Sequence, residues 1–447
     1  MHHRRLMTIT VCLGALALPA SASADAGSPI AGQYIVVLKG GASGRSVAAE
    51  HARAAGAKVL QTYDAALHGY AARLSAAGLA EVKADPRVRE VVQDVAGHPL
   101  AAQTLPTGIN RVDADLSPAA QIAGDGSGTV SGDVAVYDTG IDTAHPDLTV
   151  AGGVNCMGPI DQYNDGTIND AFGHGTHVAG TIGAKDDGIG VVGIAPGVRL
   201  WSVRVENSLG VTTASAQLCG IDWITQNAPG LGIKVVNSSQ TLVGSTSDDG
   251  NCGLTNGDVM HQTICNSTAA GITWVFAAGN STKDFQTSGG ANYDEALTVT
   301  AMADSNGTPN VGSTTKFSCK SVLKTNGSST YTGVDDTYAS FSNWATTAAD
   351  QAHTVAAPGV CIYSTFKGQT YGYWAGTSMA TPHVTGIVQL CIVSGQCAGT
   401  PAETIQKVRA DAIAYNQANP GFGFKGDPLH SPVSGRYYGY LVRAAGY

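Results

Sequence analysis

Val134-Ala135-Val136-Tyr137-Asp138-Thr139-Gly140-Ile141-Asp142 is an apolar run that ends in an acid and turns at a glycine. With no polar residue alternating through it, the run describes a strand buried on both faces, as a parallel sheet demands. Working outward, residues 199–205, 234–236, 273–277 and 297–300 repeat the signature. Helical patterns fall between and after them, at 174–182, 213–226, 257–270, 378–393 and 402–412. Parallel strands need crossover connections, so the expected fold class is α/β, a mostly parallel central sheet with helices on both faces. Ligands of such sheets collect at the carboxyl ends of the strands, and Asp138 stands at one of those ends.

Upstream, strands are expected at 33–38, 68–74 and 88–92, and helices at 46–56 and 79–84. Together they make a small α+β unit of about 70 residues, a size that is marginal on its own. Residues 96–108 dissolve into Gly, His, Pro, Gln and Thr, which places a domain boundary there. Earlier still, Arg4 and Arg5, an apolar run at 9–20 and Ala22-Ser23-Ala24 follow the order of a secretory signal. The expected organisation is a signal peptide at 1–24, a small domain at 25–102 and a large domain at 103–447, in a secreted, extracellular protein.

Charged residues are 13% of the 447, and the formal net charge of -9 comes without any Lys/Arg run. A nucleic-acid surface needs clustered cations, so no nucleic-acid partner is expected. No stretch after the signal reaches the roughly 18 apolar residues of a membrane helix, so no membrane partner is expected either. A monomer is the expected state. Of nine cysteines, Cys12 lies in the signal, leaving Cys156, Cys219, Cys252, Cys265, Cys319, Cys361, Cys391 and Cys397. An even set in an exported chain implies disulfides, and the spacing lacks the paired CxxC of a zinc site. Connectivity stays open, with Cys391–Cys397 and Cys252–Cys265 as the short-range candidates.

Three segments carry chemistry. Asp138, held rigidly at a strand end, suits a carboxylate that orients an imidazole, although a lone Asp-Thr-Gly is also an ordinary turn. Phe172-Gly173-His174-Gly175-Thr176-His177-Val178-Ala179-Gly180 opens a helix whose small residues permit close packing, with His174 at the exposed start. A neutral imidazole there can act as a general base. His177 reads as a packed structural histidine, since the HExxH pattern of a zinc protease is absent. Ala375-Gly376-Thr377-Ser378-Met379-Ala380-Thr381-Pro382 begins another helix. A serine so placed aims its own N–H, and the positive helix end, at an oxyanion; alone it could equally be a helix cap. Pro382 is expected to sit in the first turn, where no N–H is missed.

In their chain order Asp, His, Ser, these motifs resemble those of the subtilisin-like (subtilase) family, from about residue 103 to beyond the Ser378 helix. The resemblance implies a subtilisin-like fold and a secreted serine endopeptidase, made as an autoprocessed precursor, with Asp138, His174 and Ser378 as its triad. It implies that Asn280, in Ala277-Ala278-Gly279-Asn280, donates to the oxyanion. Asn280-Ser281-Thr282 also reads as a glycosylation sequon, a role that a place in the cleft would exclude. The upstream unit resembles the family's inhibitor propeptide, which would act as an intramolecular inhibitor until cut between about residues 96 and 107. Protein and peptide substrates are the implied partners, and no cofactor is required for the chemistry. Structural calcium is common in the family, with Asp304 as a candidate metal ligand and Asp161, Asp165 and Asp170 as a second set. One strand departs from the pattern: after Val235-Val236-Asn237, Gln240 and Thr241 stand where Leu and Gly are expected, which leaves substrate preference open.

Overall fold

In the computed structural model the described residues are 29–95, 103–124, 128–158, 165–322 and 330–447. The expected signal peptide, part of the expected linker and Asp161 lie outside them. The chain divides into two compact units, residues 1–101 and 102–447.

The first unit runs β1 (Pro29–Leu38), α1 (Gly44–Ala54), β2 (Lys58–Tyr63), β3 (Gly69–Arg73), α2 (Ala76–Ala84) and β4 (Val88–Val95). Its antiparallel sheet has the order β2-β3-β1-β4. Ser43 and Ser75 cap the two helices by accepting from the N–H groups of Ser46 and Gly78. Val36, Leu38, Val47, Tyr70 and Val82 form the core. Strand β2 was not expected from sequence. It pairs only with β3 and its side chains are largely exposed, so it carries no buried alternation to read.

The second unit begins with α3 (Thr107–Arg111), β5 (Asp133–Asp138), β6 (Val150–Asn155), α4 (His174–Gly183), β7 (Arg199–Arg204), α5 (Ala214–Leu231) and β8 (Ile233–Ser238). It continues with α6 (Val259–Ala269), β9 (Thr273–Ala277), β10 (Leu297–Ala303), β11 (Lys316–Lys320), β12 (Thr330–Val334), β13 (Thr337–Tyr338), α7 (Ala348–Ala352) and β14 (Thr354–Pro358). The hairpin β15 (Ile362–Phe366) and β16 (Thr370–Trp374), then α8 (Thr377–Val393) and α9 (Pro401–Ala418), complete it. The central sheet runs β13-β10-β9-β8-β5-β7-β6, with β14 also on β10, and every pairing but β10–β13 is parallel.

Strand β5 shows why the sequence folds this way. Val134 and Val136 pack into one core with Val178 and Ile182 of α4 and Val384 and Ile387 of α8. Ala135 and Tyr137 enter the other core with Ile221 and Ile224 of α5 and Ile264 of α6. Successive side chains point to opposite faces, so an uninterrupted apolar strand is what two helix layers require. Strand β6 was missed because glycine interrupts it. A Cβ on Gly153 (φ 155°) would stand 1.9 Å from Ser202 O, so only glycine lets β6 approach β7 this closely.

Four disulfides link Cys156–Cys219, Cys252–Cys265, Cys319–Cys361 and Cys391–Cys397, including both expected short-range pairs. The expectation for Pro382 needs correcting. Helix α8 starts at Thr377, so Pro382 lies beyond the first turn and deprives the Ser378 carbonyl of its helical donor. Ser239 Oγ supplies the missing bond, donating to Ser378 O at 2.8 Å.

Candidate active site

Asp138 is fully buried at the carboxyl end of β5, and its Oδ1 accepts from the Thr139 N–H at 2.8 Å. His174 Nδ1 donates to the same oxygen at 2.7 Å. The helix bearing His174 comes this close because Gly175 has no side chain: a Cβ there would sit 2.1 Å from Gly140 O. Asp170 fastens the junction. Its Oδ1 accepts from Thr139 Oγ1 and from the N–H groups of Phe172 and Gly173, while Oδ2 accepts from Thr176 N and Oγ1.

Five donors exhaust a carboxylate's roughly four lone-pair sites, so Asp170 has none left for calcium. Asp165 accepts from Thr167 and from the Arg204 guanidinium. Asp304, the other calcium candidate, accepts from the Gly307 N–H and faces Arg111 Nε at 3.7 Å, so a fixed cation already stands beside it. Burial raises its pKa to about 7 in spite of both partners. Asp248, His261 and Glu295 bring ligand atoms within 4.8 Å of one another. There, His261 Nε2 donates to Glu295 at 2.8 Å, and although burial opposes its charge, Glu295 and nearby acids raise its pKa.

The ring of His174 is packed edge-on against Trp374, with centroids 5.2 Å apart. Burial disfavours its charge, but the Asp138 carboxylate, with Glu206 and Asp170 behind it, raises its pKa to about 9. Glu206 was missed by the sequence reading. It lies two residues beyond Arg204, the register partner of Asp138, and burial followed by the Asp138 charge lifts its pKa to about 8. An acid just past a buried strand neighbouring β5 was the available signal. His177 points elsewhere, its Nε2 donating to Ile362 O and Gly372 O, and burial lowers its pKa to about 3.

Ser378 is the second residue of α8, and its Oγ donates to Ser239 O at 2.9 Å. Among the described hydrogen bonds none joins it to His174. Asn280 Oδ1 accepts from Thr377 N at 2.8 Å and Thr377 Oγ1 at 3.0 Å, which fixes the amide and leaves Nδ2 as a donor. Asn280 and Ser378 share a cavity of about 380 Å³ with Ser239, Thr241, Lys283 and Ser288. A larger groove of about 800 Å³, lined by Phe317 and Tyr338, contains none of these residues.

Residues 130–424 match the Subtilase family. The chain belongs to that family. The subtilase is 34% identical to Subtilisin E of Bacillus subtilis (strain 168) over 346 residues, 76% of this chain and 74% of that protein. It is 35% identical to Subtilisin DY of Bacillus licheniformis over 294 residues, 65% of this chain and 85% of that protein. The crystal structure of a cold adapted subtilisin-like serine proteinase matches 76% of this chain and 98% of its own, with a TM-score of 0.51 and 23% identity. That likeness shows the fold, a mostly parallel sheet covered by helices. Residues 33–98 match the Peptidase inhibitor I9 family, so this subtilase carries an inhibitor-type propeptide and is a processed precursor. It is a serine endopeptidase and needs no cofactor for catalysis. No helix among the described residues is long and apolar enough to cross a membrane.

Proposed function

We propose that Asp138, His174 and Ser378 form the catalytic triad of this subtilase and that Asn280 completes its oxyanion hole. The observation that carries the reading is the 2.7 Å bond from His174 Nδ1 to the buried Asp138 carboxylate, which turns Nε2 outward as a base. The mechanism requires rotation about the Ser378 Cα–Cβ bond to bring Oγ from Ser239 O to that nitrogen. As the hydroxyl attacks a peptide carbonyl, its proton passes to His174 Nε2 and the carbon–oxygen bond of an acyl-enzyme forms. The carbonyl oxygen gains the negative charge and is met by the Ser378 N–H and Asn280 Nδ2. His174 then protonates the departing amine, and water, deprotonated by the same imidazole, releases the acyl group.

The protein is proposed to be secreted after loss of residues 1–24, with residues 25–102 as an intramolecular inhibitor of the domain at 103–447. Self-cleavage within residues 96–107 would free the mature enzyme. Expression of Ser378→Ala tests the whole reading. The expected product is a folded, uncut precursor of full length that hydrolyses no peptide and resists labelling by a fluorophosphonate, while the parent chain is cut and labelled. Normal maturation or turnover by the purified variant would remove Ser378 from the mechanism.

A further inference from the structure

The cavity beside Ser378 receives the acyl half of a substrate. His174 delivers a proton to the departing amine, so the leaving half lies on the imidazole side, and His174 is not among the residues lining the cavity. The side chain one bond from the attacked carbonyl therefore enters this space.

Its walls are unusual for a pocket that would take an apolar side chain. Thr241, Ser281, Thr287 and Ser288 bring hydroxyl-bearing side chains, and among the described lining residues Lys283 is the only charged one. The Gln240 amide is engaged, its Nε2 donating to Tyr137 O and its Oε1 accepting from Gln217, both at 3.1 Å. The backbone that carries Lys283 is held in place. The buried Asn343 accepts from the N–H groups of Ser281 and Lys283 at 2.9 and 3.1 Å and donates to Ala278 O. Between them Thr282 takes the left-handed conformation (φ 51°), which a β-branched residue adopts only under constraint. No ion pair among the described residues engages the Lys283 ammonium. The neighbouring carboxylate, Asp284, accepts instead from the Gln286 N–H.

We infer that this pocket selects an acidic side chain on the residue that supplies the scissile carbonyl. The inference rests on Ser378 as the nucleophile. A carboxylate entering the pocket meets a cation and several hydroxyl donors, whereas a basic side chain meets like charge. An apolar one strips water from hydroxyls and offers them no acceptor.

Internally quenched peptides that differ only at that residue test it, using the self-processed enzyme. The expected order of kcat/KM is Glu, then Gln, then Leu and Lys. Lys283→Met should lower the Glu:Gln ratio roughly fivefold, the size of a rim ion pair, and Lys283→Glu should bring Lys above Glu. Raising NaCl to about 1 M should shrink the Glu:Gln ratio, since a partly exposed pair is screened. Fastest cleavage after Leu or Phe, or a Glu:Gln ratio unmoved by both substitutions, overturns the inference. Loss of all hydrolysis together with loss of fluorophosphonate labelling in the parent chain would instead overturn the role of Ser378.

Discussion

On the imidazole side of the cleft, each functional group is fixed by several partners. Asp138 is bonded by Thr139 and His174, Asp170 takes five donors, and Trp374 packs edge-on against the ring. On the pocket side, Asn343 is the main anchor, and Lys283 and Thr287 remain exposed. The contrast separates two tasks. Proton transfer tolerates little misplacement and is built where water is excluded, whereas selection among side chains works through hydroxyls and charge that stay wet until substrate arrives.

The sharpest way to break this comparison is Asp138→Asn. The amide keeps the shape but no longer orients a neutral imidazole correctly, and kcat should fall by about 10⁴ with KM little changed. Steady-state kinetics checks it, and a fall below tenfold would deny the imidazole side its special rigidity. Asn280→Ala, at the junction of the two sides, should lower kcat by about 10²–10³, the range measured for a subtilisin's own oxyanion amide. A change seen mainly in KM would move Asn280 from the reacting oxygen to the pocket.

Glu206→Gln carries the smallest expected effect. A negative charge near His174 stabilises the imidazolium and so raises its pKa, while the base must be neutral to act. Activity should therefore fall as pH drops through the His174 pKa, and removing the Glu206 charge should shift that acid limb of kcat/KM downward by up to about one pH unit. At alkaline pH the two enzymes should converge. A pH profile that stays in place would mean that Glu206 does not sense the imidazole.

The two units differ in a way that bears on maturation. The small unit has a core built around Val36, Val47, Tyr70 and Val82, and leaves Val59, Leu60, Val92 and Val95 exposed. All four disulfides lie in the large unit. An inhibitor-type propeptide domain can be marginal, while the large domain is held by cross-links.

Much of this was legible in the chain. The strand ending at Asp138, the helix opening at His174 and the helix around Ser378 were readable because period and punctuation are local properties. Strands β2 and β6 were not, since one is exposed and the other is held by glycines packed on a neighbour that the sequence does not name.

The sequence by itself determined the α/β class and the local elements that carry Asp138, His174 and Ser378, because each depends on spacing along one segment. Tertiary structure alone decided the Ser239–Ser378 bond across Pro382, the nearness of Glu206 to His174 and the cation at the pocket rim. Those depend on which segments fold against one another, and burial and charge act through space rather than along the chain.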